Sequence, residues 1–305
     1  MTSLFLIPRS SAQGVHFTGY YEYNMKCIII KMSPSMILNR IMENEAFIRL
    51  GFFFGVFIIM AIYEIVSPKR ELKAHKAARW FTNLSITFLN SLLLRWLFPV
   101  LAIGMAYVAE EQGLGILNKI QMPEFMSVLI AVLFLDFIIY AQHYAFHVLH
   151  HPWKLHMMHH TDMDLDVTSG ARFHPIEIML SMFIKVSIVL FIGASPLAVL
   201  IFEVLLNVTA MFNHSNVAIP VGIDRVLRLF VVTPDMHRVH HSVIINETNS
   251  NYGFNFPWWD RIFGTYNDQP VKGHYDMTIG LANFRDPKEL VFPKLLKIPF
   301  QDKER

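Results

Sequence analysis

The chain has 305 residues, 53% of them hydrophobic and only 16% charged, with a mean hydropathy of +0.38. A soluble globular domain carries about 25% charged residues and a disordered chain far fewer apolar ones, so both classes are excluded. A net charge of +2 offers no basic surface for nucleic acid, and the single cysteine, Cys27, excludes disulfide scaffolds, Cys-ligated zinc and Cys-ligated iron–sulfur clusters.

Residues 1–45 lack the basic, apolar and small-residue succession of a signal peptide, and Met25, Met32 and Met36 are alternative starts. The stretch 46–66 has the roughly 20 apolar residues a membrane helix needs, with Arg49 and Glu64 near its ends. A second candidate, 84–108, is interrupted by Arg95 and Pro99 and reads as kinked or partly interfacial. The third, 125–142, is apolar except for Asp136 and runs directly into His143. Two shorter stretches, 178–192 and 196–212, are split by Gly193 to Pro196. At ~1.5 Å per residue each falls short of a ~30 Å bilayer core, so they read as a helical hairpin that dips in.

Loop charge sets the orientation. The loop 67–79 holds Lys69, Arg70, Lys73, Lys76 and Arg79 against Glu71 alone, whereas 109–124 holds Lys119 against Glu110, Glu111 and Glu124. The positive-inside rule puts the first loop in the cytoplasm. Threading onward, every histidine cluster then falls on the cytoplasmic face. The part beyond about Val217 is polar enough to be a cytoplasmic cap.

Histidine is the outlier, with 15 copies, 12 of them between His143 and His241. Three patterns stand out: His143 with His147, then His156 with His159 and His160, then His237 with His240 and His241. Residues at i, i+3 and i+4 share a helical face. Chance gives about 0.04 HxxHH strings in a chain of this composition, and two are present. Eight imidazoles exceed the set for one tetrahedral ion and suit two, each with three or four nitrogens and an open position. Imidazole accepts iron, zinc, copper or nickel, so ligand type alone does not choose. Asp162, Asp164, Asp166 and Asp235 are either acceptors that orient these imidazoles or solvated loop residues. His174 and His214 are each either a ligand or a hydrogen-bonded neighbour of one. Asp136 shares a face with Tyr140, His143 and His147, and either bonds a ligand imidazole or pairs with Arg95. His150 and His151 fit no spacing and read as loop residues; His16, His75 and His274 read as unrelated.

Over residues 136–266 the sequence resembles the fatty acid hydroxylase / sterol desaturase superfamily of integral-membrane oxygenases. HxxxH and two HxxHH boxes come in the family's order. His174 in Arg-Phe-His-Pro, His214 in His-Ser-Asn, and the tail from Asn251 to Tyr266 with its Trp258-Trp259-Asp260 also look like family features. The resemblance implies that the eight box histidines hold two iron ions, with zinc a possible substitute, and that dioxygen is used to hydroxylate or desaturate a membrane lipid. No His-Pro-Gly-Gly string of a fused cytochrome b5 occurs, so a separate donor is expected: a cytochrome b5-like protein, a ferredoxin or a reductase. Three rivals remain: an acyl-lipid desaturase of the other three-box family, a zinc membrane hydrolase and a metal transporter.

The expectation is therefore an all-α integral membrane protein of three long membrane helices plus a helical hairpin, with a cytoplasmic histidine-rich cap holding two metals. Its parts are an N-terminal segment 1–45, a catalytic domain 46–266 and a C-terminal cytoplasmic tail 267–305. The lipid, the electron donor's identity and the oligomeric state are not legible in the sequence.

Overall fold

The structure, a computed structural model, describes residues 34–98 and 100–301. Most of the segment 1–45, with Cys27, His16 and the first alternative starts, lies outside the described residues, as does Pro99. The described residues from Arg40 onward form one compact unit. Among the described residues there is no β-strand, only two isolated bridges.

Helix α1 (Pro34–Glu43) precedes α2 (Glu45–Val66). Phe52, Phe54, Ile58, Ile59, Ile62 and Ile65 of α2 are exposed. An apolar surface of that extent is stable in lipid rather than in water. α3 (Lys76–Leu97) starts eight residues before the stretch read from hydropathy. Its first turns carry Arg79, Thr82 and Asn83, which are polar yet buried against the cap, so an apolar-run reading misses them. The second stretch does break: α3 stops at Leu97 and α4 (Ala102–Glu111) begins afresh. α5 (Glu124–Val148) continues through His143 and His147 to Leu149, where α6 (His150–His160) starts at once. His150 and His151 are thus the exposed first turn of a helix, not loop residues.

The hairpin helices are longer than their apolar runs. α7 (Pro175–Ile192) gains its first turn from Pro175, whose fixed φ suits the N1 position, behind His174 as N-cap. α8 (Pro196–Asn213) repeats the device, with Ser195 capping Ala198 N. Between them Gly193 stands at φ +70°, where a Cβ would lie 2.5 Å from Leu114 O. Only glycine serves both the left-handed turn and that approach. At 18 residues each helix spans about 27 Å, close to a bilayer core. Among the described residues, five helical stretches are long and apolar enough to cross a membrane.

α8 is the pillar. Its Ala198, Val199 and Phe202 are fully buried, packed with Ala102 and Ala106 of α4 and Ala131 and Leu135 of α5. Small residues at these contacts let the backbones approach, which is how helices associate where lipid removes the hydrophobic drive. Beyond α8 come α9 (Val221–Leu227) and α10 (Pro234–His240). Residues of the C-terminal segment, Leu281, Phe284, Leu295 and Ile298, pack against Trp153, Met157 and Met158 of α6 in a second core.

Candidate metal centre

Four segments deliver histidines to one place: the end of α5, α6, the residue after α8, and α10. Nine imidazoles form two groups, His143, His147, His156, His160 and His240 in one, His159, His214, His237 and His241 in the other. Within each group the ligating atoms lie within 4.8 Å of one another. None of the nine is more than 7% exposed. The helical period explains the partition. Each i, i+4 pair (143 and 147, 156 and 160, 237 and 241) stays in one group. His159 and His240, about 100° around the helix from their neighbours, cross to the other. Each HxxHH string therefore serves both groups rather than one face, and the groups number five and four instead of three or four. His214, one of the two open cases, belongs to the second group. His174 does not; its Nδ1 accepts from Ile176 N at 3.2 Å as the cap of α7.

Hydrogen bonds fix the tautomers. Carbonyl and carboxylate oxygens only accept, so a ring nitrogen facing one must carry the proton. His143 Nδ1 donates to Tyr252 O at 2.8 Å, His240 Nδ1 to Ser250 O at 2.7 Å, and His214 Nδ1 to Ala210 O at 2.8 Å. His156 Nδ1 donates to the Glu177 carboxylate at 2.7 Å. In all four the Nε2 lone pair is left for the site. The buried Nε2 atoms of His143, His160 and His240 have no hydrogen-bond partner among the described residues. In the second group His214 Nε2 stands 3.2 Å from His159 Nε2 and 3.0 Å from His237 Nε2, and His237 Nε2 3.2 Å from His241 Nε2. Nitrogens sharing one ion at ~2.1 Å sit about 3.4 Å apart in a tetrahedron, so this convergence fits a bound cation. Buried lone pairs facing one another without a proton or metal between them are costly. The residues thus fit two metal ions, each held by neutral nitrogen.

The imidazoles are kept neutral. Burial, then the neighbouring imidazoles, hold His159, His160, His237 and His241 well below the usual histidine range. Burial takes His214 down to about 3.

Asp162, Asp164, Asp166 and Asp235 are neither acceptors for the imidazoles nor solvated loop residues. Asp162 and Asp166 are buried and bind Arg79: Nε and Nη2 meet Asp162 at 2.8 and 2.9 Å, and Nη1 meets Asp166 at 2.6 Å. Although burial opposes ionisation, Arg79 and Arg172 hold the Asp162 carboxyl well below the carboxylate range. Asp164 accepts the amides of Lys73 and Ala74 at 2.9 and 2.7 Å. Asp235 takes Lys69 Nζ at 2.7 Å and Arg238. Buried cations needed these carboxylates more than the neutral rings did. Asp162 and Asp166 thereby lock the loop after His160 onto α3. Asp136 faces the tail instead, accepting from Trp259 Nε1 at 2.8 Å and Asn255 N at 3.3 Å.

The acceptors that do orient the rings escaped the sequence reading. Glu177 carried a signal, an acid in the first turn of an apolar helix. Tyr252 O and Ser250 O carried none, since every residue has a carbonyl. Asn251 between them stands at φ +53°, which turns the two carbonyls toward different histidines. Its Nδ2 is anchored to Met236 O at 3.0 Å and Asn267 O at 2.8 Å. Asp260 of the Trp-Trp-Asp string accepts Tyr252 N and Gly253 N at 2.8 and 2.7 Å, so the tail is a brace for this turn. Gly170 admits α8 beside it: a Cβ there would lie 2.6 Å from Ala210 O and 3.1 Å from His214 Nδ1.

A cavity of about 380 Å³ opens onto both groups, touching His143 and His156 of one and His159 and His237 of the other. Phe173 forms part of its wall and stacks on His159 at 4.5 Å. From there it runs between α3, α5, α7 and α8 toward Lys185, Glu203 and Arg49.

Residues 128–265 match the fatty acid hydroxylase family. Ornithine lipid hydroxylase OlsE of Rhizobium tropici is 32% identical over 162 residues, covering 52% of this chain and 47% of the relative. Alkylglycerol monooxygenase of Homo sapiens is 31% identical over 169 residues, covering 55% and 36%; that of Xenopus tropicalis is 29% identical over 150 residues, covering 49% and 32%. The matches thus span half or less of the length of these curated relatives. No solved structure matches the chain.

Proposed function

We propose, from the premise that the chain belongs to the fatty acid hydroxylase / sterol desaturase superfamily, that it is a di-iron, dioxygen-dependent hydroxylase of a membrane lipid, built on residues 46–266. The observation that carries this reading is the pair of buried all-nitrogen nests opening on a single cavity at the end of membrane-length helices. Two irons held there would supply the oxidising power for an unactivated C–H bond, with R–H, O2, two electrons and two protons giving R–OH and water. His143, His147, His156, His160 and His240 would hold one ion and His159, His214, His237 and His241 the other.

The chain's own residues do the rest. Glu177 and the carbonyls of Tyr252, Ser250 and Ala210 keep the proton on Nδ1 of four rings and aim Nε2 inward. Burial excludes water from both nests. The cavity orients a substrate chain so that one carbon meets both groups, the step in which placement decides the product. One relative is named for hydroxylating an ornithine lipid and another as an alkylglycerol monooxygenase, which supports an amphiphilic lipid and favours hydroxylation over desaturation. Electrons come from a separate donor, a cytochrome b5-like protein, a ferredoxin or a reductase. The basic loop 67–79 meets the histidine side through Lys69–Asp235 and Arg79–Asp162, which supports a cytoplasmic site by the positive-inside rule.

The test is metal content per chain on detergent-purified protein, with and without His159→Ala, followed by a lipid screen by mass shift. About two irons, lost in the variant, and a lipid gaining one oxygen are expected. Two zincs and no iron after anaerobic iron reconstitution would sink the oxygenase reading.

A further inference from the structure

The far end of the cavity holds charge where a membrane protein ordinarily avoids it. Lys185 Nζ donates to Glu203 Oε1 at 3.1 Å, and Arg49 Nη1 lies 3.2 Å from Glu203 Oε2. The side chains of Lys185 and Glu203 are only 12% and 6% exposed. Ionised groups within membrane helices are expensive, face an interior, and mark function more often than packing. The cluster is also unbalanced within the cavity wall, which has two cations there against one carboxylate. Glu45 meets Arg49 at 3.5 Å from outside that wall. Lys185 has three ammonium protons, and among the described residues Glu203 takes one.

The helices set the distance. On α7, Glu177, Ser181 and Lys185 follow at i, i+4 and i+8, all in the cavity wall, so Lys185 stands about 12 Å from the carboxylate that orients His156. On α8, Glu203 precedes His214 by eleven residues, about 16 Å.

We infer that Lys185 and Arg49 seat the anionic headgroup, a carboxylate or a phosphate, of a single-chain amphiphile whose hydrocarbon runs along the cavity to the histidine nests. Glu203 holds the two cations apart and oriented, and the ammonium protons of Lys185 that Glu203 does not take are met by the ligand. Resting on the reading above for the chemistry, this puts the oxidised carbon about 12–16 Å from the headgroup charge.

Binding tests this without turnover. Full-length protein in an uncharged detergent is offered palmitate, hexadecyl phosphate or hexadecanol, which share one chain length. Retention is read by native mass spectrometry and stabilisation by thermal unfolding. At least one anionic probe should be retained about tenfold more than the alcohol, and the better of the two identifies the headgroup. Lys185→Gln should erase the preference and Lys185→Arg should keep it. If Lys185→Gln does not fold, Arg49→Gln at the more exposed end reads the same difference. A cluster that merely ties α2, α7 and α8 together would lose stability in these variants without any change in discrimination. Equal retention of all three probes, or a preference that survives loss of the cation, overturns the inference. Either failure leaves the metal and mass-shift results untouched, and a metal-free protein that still discriminates leaves the inference standing.

Discussion

The Nε2 atoms of His214 and His237 stand 3.0 Å apart, and both side chains are fully buried. His214 Nδ1 carries the proton and donates it to Ala210 O, so Nε2 presents a lone pair to a neighbour within hydrogen-bond reach. A cation bound by both satisfies this geometry. Removing His214 should therefore empty one nest and spare the other. Metal analysis of His214→Ala after mild chelation should give about one ion per chain in place of two. His174→Ala, which removes a helix cap and a bond to Leu296 O, should retain both. Two ions in each variant would take His214 out of the ligand set.

The turn at Asn251 is the second point of leverage. An alanine at φ +53° costs about 1–2 kcal/mol, and the two bonds from Nδ2 add roughly 0.5–1.5 kcal/mol each. Asn251→Ala should lower stability by about 2–5 kcal/mol in denaturant unfolding. Because the Tyr252 and Ser250 carbonyls lose their aim, it should also release metal to a chelator sooner. Asn251→Gly, free to keep the backbone angle, should fall between.

Arg79 offers a contrast, because its guanidinium bonds carboxylates rather than a histidine ring. It donates to Asp162, Asp166, Ser169 Oγ and Asp164 O from one guanidinium. Arg79→Met leaves two carboxylates buried without their cation, a loss of about 3–5 kcal/mol. Thermal unfolding should show that drop. Restoring a cation with Arg79→Lys should recover only part of it, since an ammonium cannot reproduce the fork.

Acid should unfold the metal-free protein. His159, His160, His237 and His241 stay neutral in the fold well below 6.5, and His214 down to about 3, whereas the unfolded chain takes up protons below 6.5. The folded pKa values of these bases are depressed, so their contribution is fully present above the unfolded value and is lost progressively as pH falls from there toward the folded values. The unfolding temperature of chelator-stripped protein should be level at neutral pH and decline steeply from about 6.5 downward. Metal-loaded protein should hold to lower pH, because protons must then displace the ions. A flat profile in the stripped protein would mean that the rings are not buried as a neutral set.

Much of this protein was legible from one dimension. Hydropathy located the membrane helices because lipid demands about 20 apolar residues in succession, and the histidine spacings pointed to gathered imidazoles because i and i+4 share a helical face. Helix starts were misjudged where polar residues are buried, as at Arg79 and Asn83, since a run of apolar residues is no measure of a helix that docks on a polar cap. Tertiary structure alone decided which histidines join: His159 and His160 are neighbours in sequence yet belong to different nests, and His214 comes from the end of another helix. It also decided that the acids serve Arg79, Lys69 and Arg238 while Glu177 and three backbone carbonyls hold the rings. A sequence states which groups are present. Which acceptor each donor meets depends on distances set by helix packing, and a carbonyl has no letter of its own.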